Sequence, residues 1–168
     1  MLRHVIDATK TVGESKKVIV TGHGAEQVEE TFESADTKFV RQEDQLGTAH
    51  AVSMATPELC ADAIVVVLYG DVPLIRPVTL QRMLASVNKK SMGLLTISLD
   101  DPDGYGRIVR SADGLIESIV EQKDATNEQR NICEINTGVM ALTSLQLRNW
   151  LPQISNNNAQ GEYYLTDI

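Results

Sequence analysis

Apolar positions along this chain fall into short groups, and the spacing within each group separates strands from helices. Ala63–Leu68 is an unbroken apolar run, rich in β-branched residues and closed by Tyr69-Gly70-Asp71. Such a run predicts a strand buried on both faces, as in a parallel sheet covered by helices. Leu80, Met83, Leu84 and Val87 recur instead at i, i+3, i+4 and i+7, which predicts a helix with Pro77 in its first turn. The same reading gives helices over residues 1–12, from about Ala25 to Glu33, and at Ala51–Ala55 with Thr48 as its cap. Further strands are predicted at Lys17–Thr21, Lys38–Arg41, Gly93–Leu99 and Glu134–Leu142.

Arg107–Arg110 and Leu115–Glu121 flank Ser111-Ala-Asp-Gly114 and read as a hairpin. Residues 122–132 form a polar loop with one helical turn, and Thr143 with Gln146 fits a capping box ahead of Leu147, Trp150 and Leu151. Asn156-Asn-Asn158 marks a loop, and Glu162–Ile168 enters a helix. Strand and helix patterns alternate early, with antiparallel signals later. This predicts one α/β domain over 1–168 with a mainly parallel sheet and an antiparallel excursion.

Composition narrows the function. The 168 residues suffice for a real core, and a formal net charge of −8 argues against a nucleic-acid-wrapping surface, though not against a single nucleotide bringing its own Mg²⁺. No apolar run reaches about 18 residues and no basic-then-apolar leader opens the chain, so neither a membrane span nor a secretory signal is expected. Cys60 and Cys133 match neither a zinc pattern nor a disulfide framework, which favours a reducing, cytoplasmic setting. His4, His23 and His50 lack ligand spacing and read as surface or internally satisfied residues.

The chemistry-bearing residues cluster at predicted strand ends. Asp71 stands at a strand's carboxyl end, the rim at which open α/β sheets bind ligands, where it could hold a hard cation such as Mg²⁺, although a Gly-Asp pair is first of all a turn. Gln42, Gly47 and Thr48 follow a strand ending at the same rim; an amide and backbone groups there can read the edge of a base, or simply close a surface loop. Glu121, Asn136 and the pair Tyr163-Tyr164 offer polar groups for sugar hydroxyls. Asp100, Asp101 and Asp103 surround a Pro-Asp-Gly turn that doubles as a weak metal candidate. Gly22-His-Gly24, with Glu43 about twenty residues on, imitates a dinucleotide fingerprint, but Gln27 occupies its third glycine position. Neither a Walker phosphate loop nor a Gly-x-Ser-x-Gly elbow occurs, so covalent catalysis has no visible nucleophile.

Taken in order, Gln42…Gln45-Leu-Gly-Thr48, Leu68-Tyr-Gly-Asp-Val-Pro-Leu74, Asp101-Pro-Asp-Gly-Tyr-Gly-Arg-Ile108, Ile119-Val-Glu-Gln-Lys-Asp-Ala125, Glu134-Ile-Asn-Thr-Gly138 and Asn156-Asn-Asn-Ala-Gln-Gly-Glu-Tyr-Tyr-Leu-Thr-Asp167 carry far more information than any one alone. The ensemble resembles the uridyltransferase domain of the bacterial bifunctional N-acetylglucosamine-1-phosphate uridyltransferase/glucosamine-1-phosphate acetyltransferase family, over essentially the whole chain. The resemblance implies a Rossmann-like, three-layer nucleotidyltransferase fold. It also implies transfer of a uridylyl group from UTP to N-acetylglucosamine 1-phosphate, giving the cell-wall precursor UDP-N-acetylglucosamine and pyrophosphate, with Mg²⁺. By resemblance, Gln42, Gly47 and Thr48 hold uracil, Tyr69 and Gly70 line the nucleoside pocket, Asp71 binds the metal, and Gly106, Glu121, Asn136, Tyr164 and Thr166 hold the sugar.

The departures are equally specific. The family's first strand and glycine-rich phosphate loop have no counterpart here, because Met1 aligns after them. Its metal-binding asparagine and β-helix domain fall beyond Ile168. The resemblance therefore implies a fragment with that fold's first strand missing, opening the sheet between Lys17–Thr21 and Ala63–Leu68. Unpaired apolar edges of this kind favour a homo-oligomer or a rearrangement. A catalytically silent nucleotide-sugar-binding or scaffold fragment is the alternative function, and an NAD-dependent oxidoreductase built on Gly22-His-Gly24 the more remote one.

Overall fold

The computed structural model describes residues 1–13 and 15–168. Helices are α1 (Leu2–Thr9), α2 (Ala25–Phe32), α3 (Thr48–Ala55), α4 (Pro77–Ser86), α5 (Asn127–Arg130) and α6 (Ser144–Trp150). Strands are β1 (Lys17–Thr21), β2 (Thr37–Arg41), β3 (Ile64–Val67), β4 (Gly93–Ser98), β5 (Arg107–Arg110), β6 (Ile116–Val120) and β7 (Glu134–Thr143). Single 3₁₀ turns occur at Thr56–Glu58, Leu151–Gln153 and Leu165–Asp167.

Local chemistry explains most boundaries. Pro77 opens α4, its missing N–H falling where no intrahelical partner exists. Thr143 and Gln146 cap α6 reciprocally, and Thr126 with Gln129 does the same for the short α5. Gly47 rather than Thr48 occupies the cap position of α3, which frees the Thr48 hydroxyl for a distant partner.

The α/β class holds, but the pairing corrects the expected mainly parallel sheet. β1 and β2 pair in parallel as a separate two-stranded sheet, while every pair in the five-stranded sheet is antiparallel. The reason is β7. It lies between β3 and β4, so these two strands share a direction and are joined through α4 without touching as neighbours. Among the described residues nothing hydrogen-bonds β1 to β3, so the sheet is open where the missing-strand expectation put the gap.

The core follows β7 as well. Val139, Met140, Ala141 and Leu142 are no more than 1% exposed. Successive side chains point to opposite faces: Met140 and Leu142 pack with Ala49, Leu147 and Leu165, whereas Val139 and Ala141 pack with Met83. Helices thus cover both faces, giving three layers. The Ala63–Leu68 run is corrected accordingly: β3 is an edge strand with Ile64 exposed and Val65, Val66 and Val67 half-buried. The doubly buried strand is β7.

Candidate active site

β7 carries an irregularity where the candidate residues meet. Its register with β4 shifts between the pairs Leu94↔Met140 and Thr96↔Asn136, so Thr137, Gly138 and Val139 oppose Leu95 alone. Gly138 adopts φ +78°, and its backbone N–H donates to Asn136 Oδ1 at 2.9 Å. Such a bulge bends a strand and re-aims its side chains. The ring of Tyr69, just past β3, lies directly on Gly138.

The loop after β2 forms the second wall. Gln42 donates from Nε2 to the Gly47 carbonyl at 3.1 Å and faces His50 Nδ1 at 2.9 Å. Gly47, at φ +111°, passes so close to the chain at 163 that a Cβ would stand 2.6 Å from the Tyr163 carbonyl oxygen. Two backbone bonds lace this crossing: Tyr163 N–H to Leu46 O at 2.8 Å, and Ala49 N–H to Tyr163 O at 2.9 Å. The Leu165 N–H adds a third, donating to Thr48 Oγ1 at 2.9 Å.

The 163–166 segment continues to the third wall. Thr166 Oγ1 donates to Glu121 Oε1 at 3.1 Å. Gly106 sits against the same carboxylate, where a Cβ would meet its oxygens at 3.2–3.3 Å. The Gly106 carbonyl accepts from the Asn136 N–H at 2.8 Å, which returns the circuit to the β7 bulge.

Thr48, Thr166, Glu121, Gly106, Asn136 and Tyr69 therefore form one connected series of contacts, joined to Gln42 through Gly47. Tyr164 lies on the same strap, with its hydroxyl buried and without a hydrogen-bond partner among the described residues. Burial pushes the Tyr164 phenol up from its ordinary value. Burial, and then the charge of Glu121, raise the Tyr69 phenol, while a bond from Thr48 and the charge of Asp71 act more weakly and in opposite directions. Both tyrosines thus stay hydrogen-bond donors. Gly70 and Asp71 occupy the turn beyond, closed by the Val72 N–H on Tyr69 O, and both are exposed at the rim.

The Gly22-His23-Gly24 turn lines an adjoining cleft of about 340 Å³ together with Arg41, Gln42, Glu43 and Gln45. Its one arginine is engaged, because Arg41 makes a two-pronged bond to Glu29 at 2.9 Å. Gln45 Nε2 covers Gly22, filling the space against which a dinucleotide's phosphates would press. The Asp101–Asp103 stretch is a turn, with the Asp103 N–H bonded to Asp101 Oδ1 and Gln122 bonded to Asp103. Among the described residues no three His, Cys, Asp or Glu side chains converge as a metal cage. Cys60 and Cys133 are free and exposed.

Sequence reasoning missed Gly138 and Leu165, whose importance arises only from contacts made across the fold. A glycine inside an otherwise apolar strand is itself the signal of a bulge or a close approach.

Comparison with known proteins fits this geometry. The model of the MobA-like NTP transferase domain matches residues 1–134. The chain is 55% identical over all its 168 residues to the "Bifunctional protein GlmU" of Cellvibrio japonicus, and 54% identical to that of Marinobacter nauticus. It spans 37% of the length of each of these relatives. Among solved structures, a UDP-glucose pyrophosphorylase complexed with UDP-glucose superposes with a TM-score of 0.79, covering 99% of this chain and 72% of that one at 15% identity. That likeness speaks to the fold. The fold and the sequence agree: the chain belongs to the family of MobA-like NTP transferase domains.

Proposed function

We propose that this chain forms the base- and sugar-binding part of a uridyltransferase that joins UTP and N-acetylglucosamine 1-phosphate into UDP-N-acetylglucosamine and pyrophosphate. The observation carrying this reading is the Leu165–Thr48 bond, which fastens the sugar-side strap to the base-side loop. One ligand with a base at one end and a sugar at the other spans the two walls. Gln42, Gly47 and Thr48 receive uracil, Tyr69 and Gly70 flank the nucleoside, and Gly106, Glu121, Asn136, Tyr164 and Thr166 take the sugar. The unpartnered Tyr164 hydroxyl supplies a donor or acceptor already stripped of water.

The reaction asks little of acid–base groups. An oxygen of the sugar phosphate attacks the α-phosphorus of UTP, and the bond to pyrophosphate breaks as the new P–O bond forms. A phosphate is already an anionic nucleophile, so no general base is required; alignment and charge neutralisation supply the rate. Asp71, exposed at the rim, is the carboxylate that would hold Mg²⁺, a hard cation suited to oxygen ligands. Bound there, the ion neutralises phosphate charge. We place the reaction in the cytoplasm; no helix among the described residues is long and apolar enough to cross a membrane. The NAD-dependent reading loses its footing at Gln45, which blocks the Gly22 turn.

Calorimetric titration of UDP-N-acetylglucosamine with and without Mg²⁺, with NAD⁺ as control, tests the proposal. Saturable binding, weakened by Gln42→Ala and made Mg²⁺-independent by Asp71→Ala, is expected. No binding by a cooperatively folding chain overturns it in favour of the scaffold reading, and equal binding of NAD⁺ overturns it in favour of a dinucleotide site.

A further inference from the structure

We propose that His50 is a positioning residue that fixes the orientation of the Gln42 side-chain amide, and so makes the base site selective for pyrimidines bearing an N3–H. The inference rests on the uridine-binding reading above and adds the means of discrimination. It starts from a constraint of chemistry. The Gly47 carbonyl can only accept, so the atom of Gln42 facing it at 3.1 Å must be the amide nitrogen. That same nitrogen lies 2.9 Å from His50 Nδ1. Its second hydrogen then points at the imidazole, so Nδ1 must offer its lone pair and the ring proton resides on Nε2.

Both amide hydrogens of Gln42 are thereby consumed inside the protein. Its backbone N–H is also occupied, donating to the Thr21 carbonyl at 2.8 Å. What remains is Oε1, to which no described residue donates a hydrogen bond, on a residue that lines the cleft beside Gly22 and Gln45. Gln42 thus presents a lone acceptor and no donor. Uracil carries a hydrogen on N3 and satisfies that acceptor. Cytosine has a bare N3 and would set two acceptors against each other. An unconstrained glutamine could flip its amide and serve either base; the Gly47 and His50 acceptors together forbid the flip. The helical start at Thr48 places His50 one turn behind Gly47, which is why both acceptors reach one amide.

The test has two independent arms on the 168-residue chain. In the free protein, ¹⁵N-detected NMR of the histidine rings is expected to show His50 as the Nε2–H tautomer, with Gln42 side-chain amide protons shifted and then returned toward free values by His50→Phe. The Nδ1–H tautomer, or Gln42 amide signals indifferent to His50→Phe, overturns the proposal whether or not any nucleotide binds. In the second arm, UDP-N-acetylglucosamine and the corresponding cytidine compound are titrated into wild type, His50→Phe and His50→Asn. Loss of about tenfold or more in the uridine-over-cytidine preference for Phe, with the preference retained by Asn, supports it. An undiminished preference in Phe overturns it. Failure of both compounds to bind wild type removes the uridine reading itself, and the NMR arm still decides whether the amide is locked.

Discussion

Gly138 lies under the ring of Tyr69, where an added Cβ would stand 2.9 Å from the ring's Cζ and closer still to Cε2. Gly138 also holds φ +78°, a conformation that side chains disfavour. Replacing it with alanine is therefore expected to destabilise the fold by at least about 2 kcal/mol, through left-handed strain and displacement of a packed ring. Denaturant unfolding of Gly138→Ala measures this. Tyr69→Ala in the same background should recover part of the loss by vacating the contact, a non-additivity that simple strain at Gly138 would not produce.

Thr48 and Leu165 are joined across 117 positions of sequence by a single hydroxyl. Leu165 is 1% exposed, so its N–H has no ready access to water if that hydroxyl is removed. Thr48→Val is expected to cost about 1–3 kcal/mol, whereas Thr48→Ser, which keeps the acceptor, should lose less. Paired chemical-denaturation curves separate the two outcomes. Equal losses would show that packing of the methyl group, not the hydrogen bond, holds the strap.

Glu121 holds Thr166 and backs Gly106, yet is itself only half-buried. Its removal should therefore affect binding more than folding. For Glu121→Ala, sugar-nucleotide affinity is expected to fall about tenfold or more while stability changes by about 1 kcal/mol. Calorimetry alongside thermal unfolding tests the split. Unchanged affinity would take Glu121 out of the sugar site.

Acid stability should carry the signature of Glu134. The Arg110 guanidinium, bonded to both its oxygens at 2.7 Å, and then the Thr96 hydroxyl at 2.7 Å hold its carboxyl down to about 2, from an ordinary value of 4.5. A carboxylate depressed in the folded state contributes stability above its unfolded value and loses it as pH falls through the folded one. Stability is thus expected to decline between pH 4.5 and about 2 more steeply in wild type than in Glu134→Gln. The two curves should run parallel at higher pH. Parallel curves throughout would show that the pair contributes nothing.

The open sheet predicts self-association. β1 and β3 each keep a strand edge with no partner among the described residues, and β3 is rich in valine. Such edges pair with other chains unless blocked. Sedimentation velocity across a concentration series is expected to show assembly, and a concentration-independent monomer would count against it.

Much of this protein was legible in its sequence because the signals are local. The i, i+3, i+4, i+7 spacing from Leu80 and the capping pair Thr143–Gln146 depend on neighbours within a few residues, and α4 and α6 form there. The ordered motifs likewise named Gln42, Thr48, Glu121, Asn136 and Thr166, which the fold gathers around one bulge. Sequence did not reveal which apolar run is central. Ala63–Leu68 and Val139–Leu142 are both unbroken, and a run records only the capacity to be buried. Pairing decides the matter: β7 has partners on both edges and helices on both faces, while β3 has β7 alone. The same holds at finer scale. A threonine after a glycine reads as a cap, and only the arrival of Leu165 turns its hydroxyl into a clasp. A histidine without ligand spacing reads as satisfied, and only the fold shows that what satisfies it is the side-chain amide of Gln42.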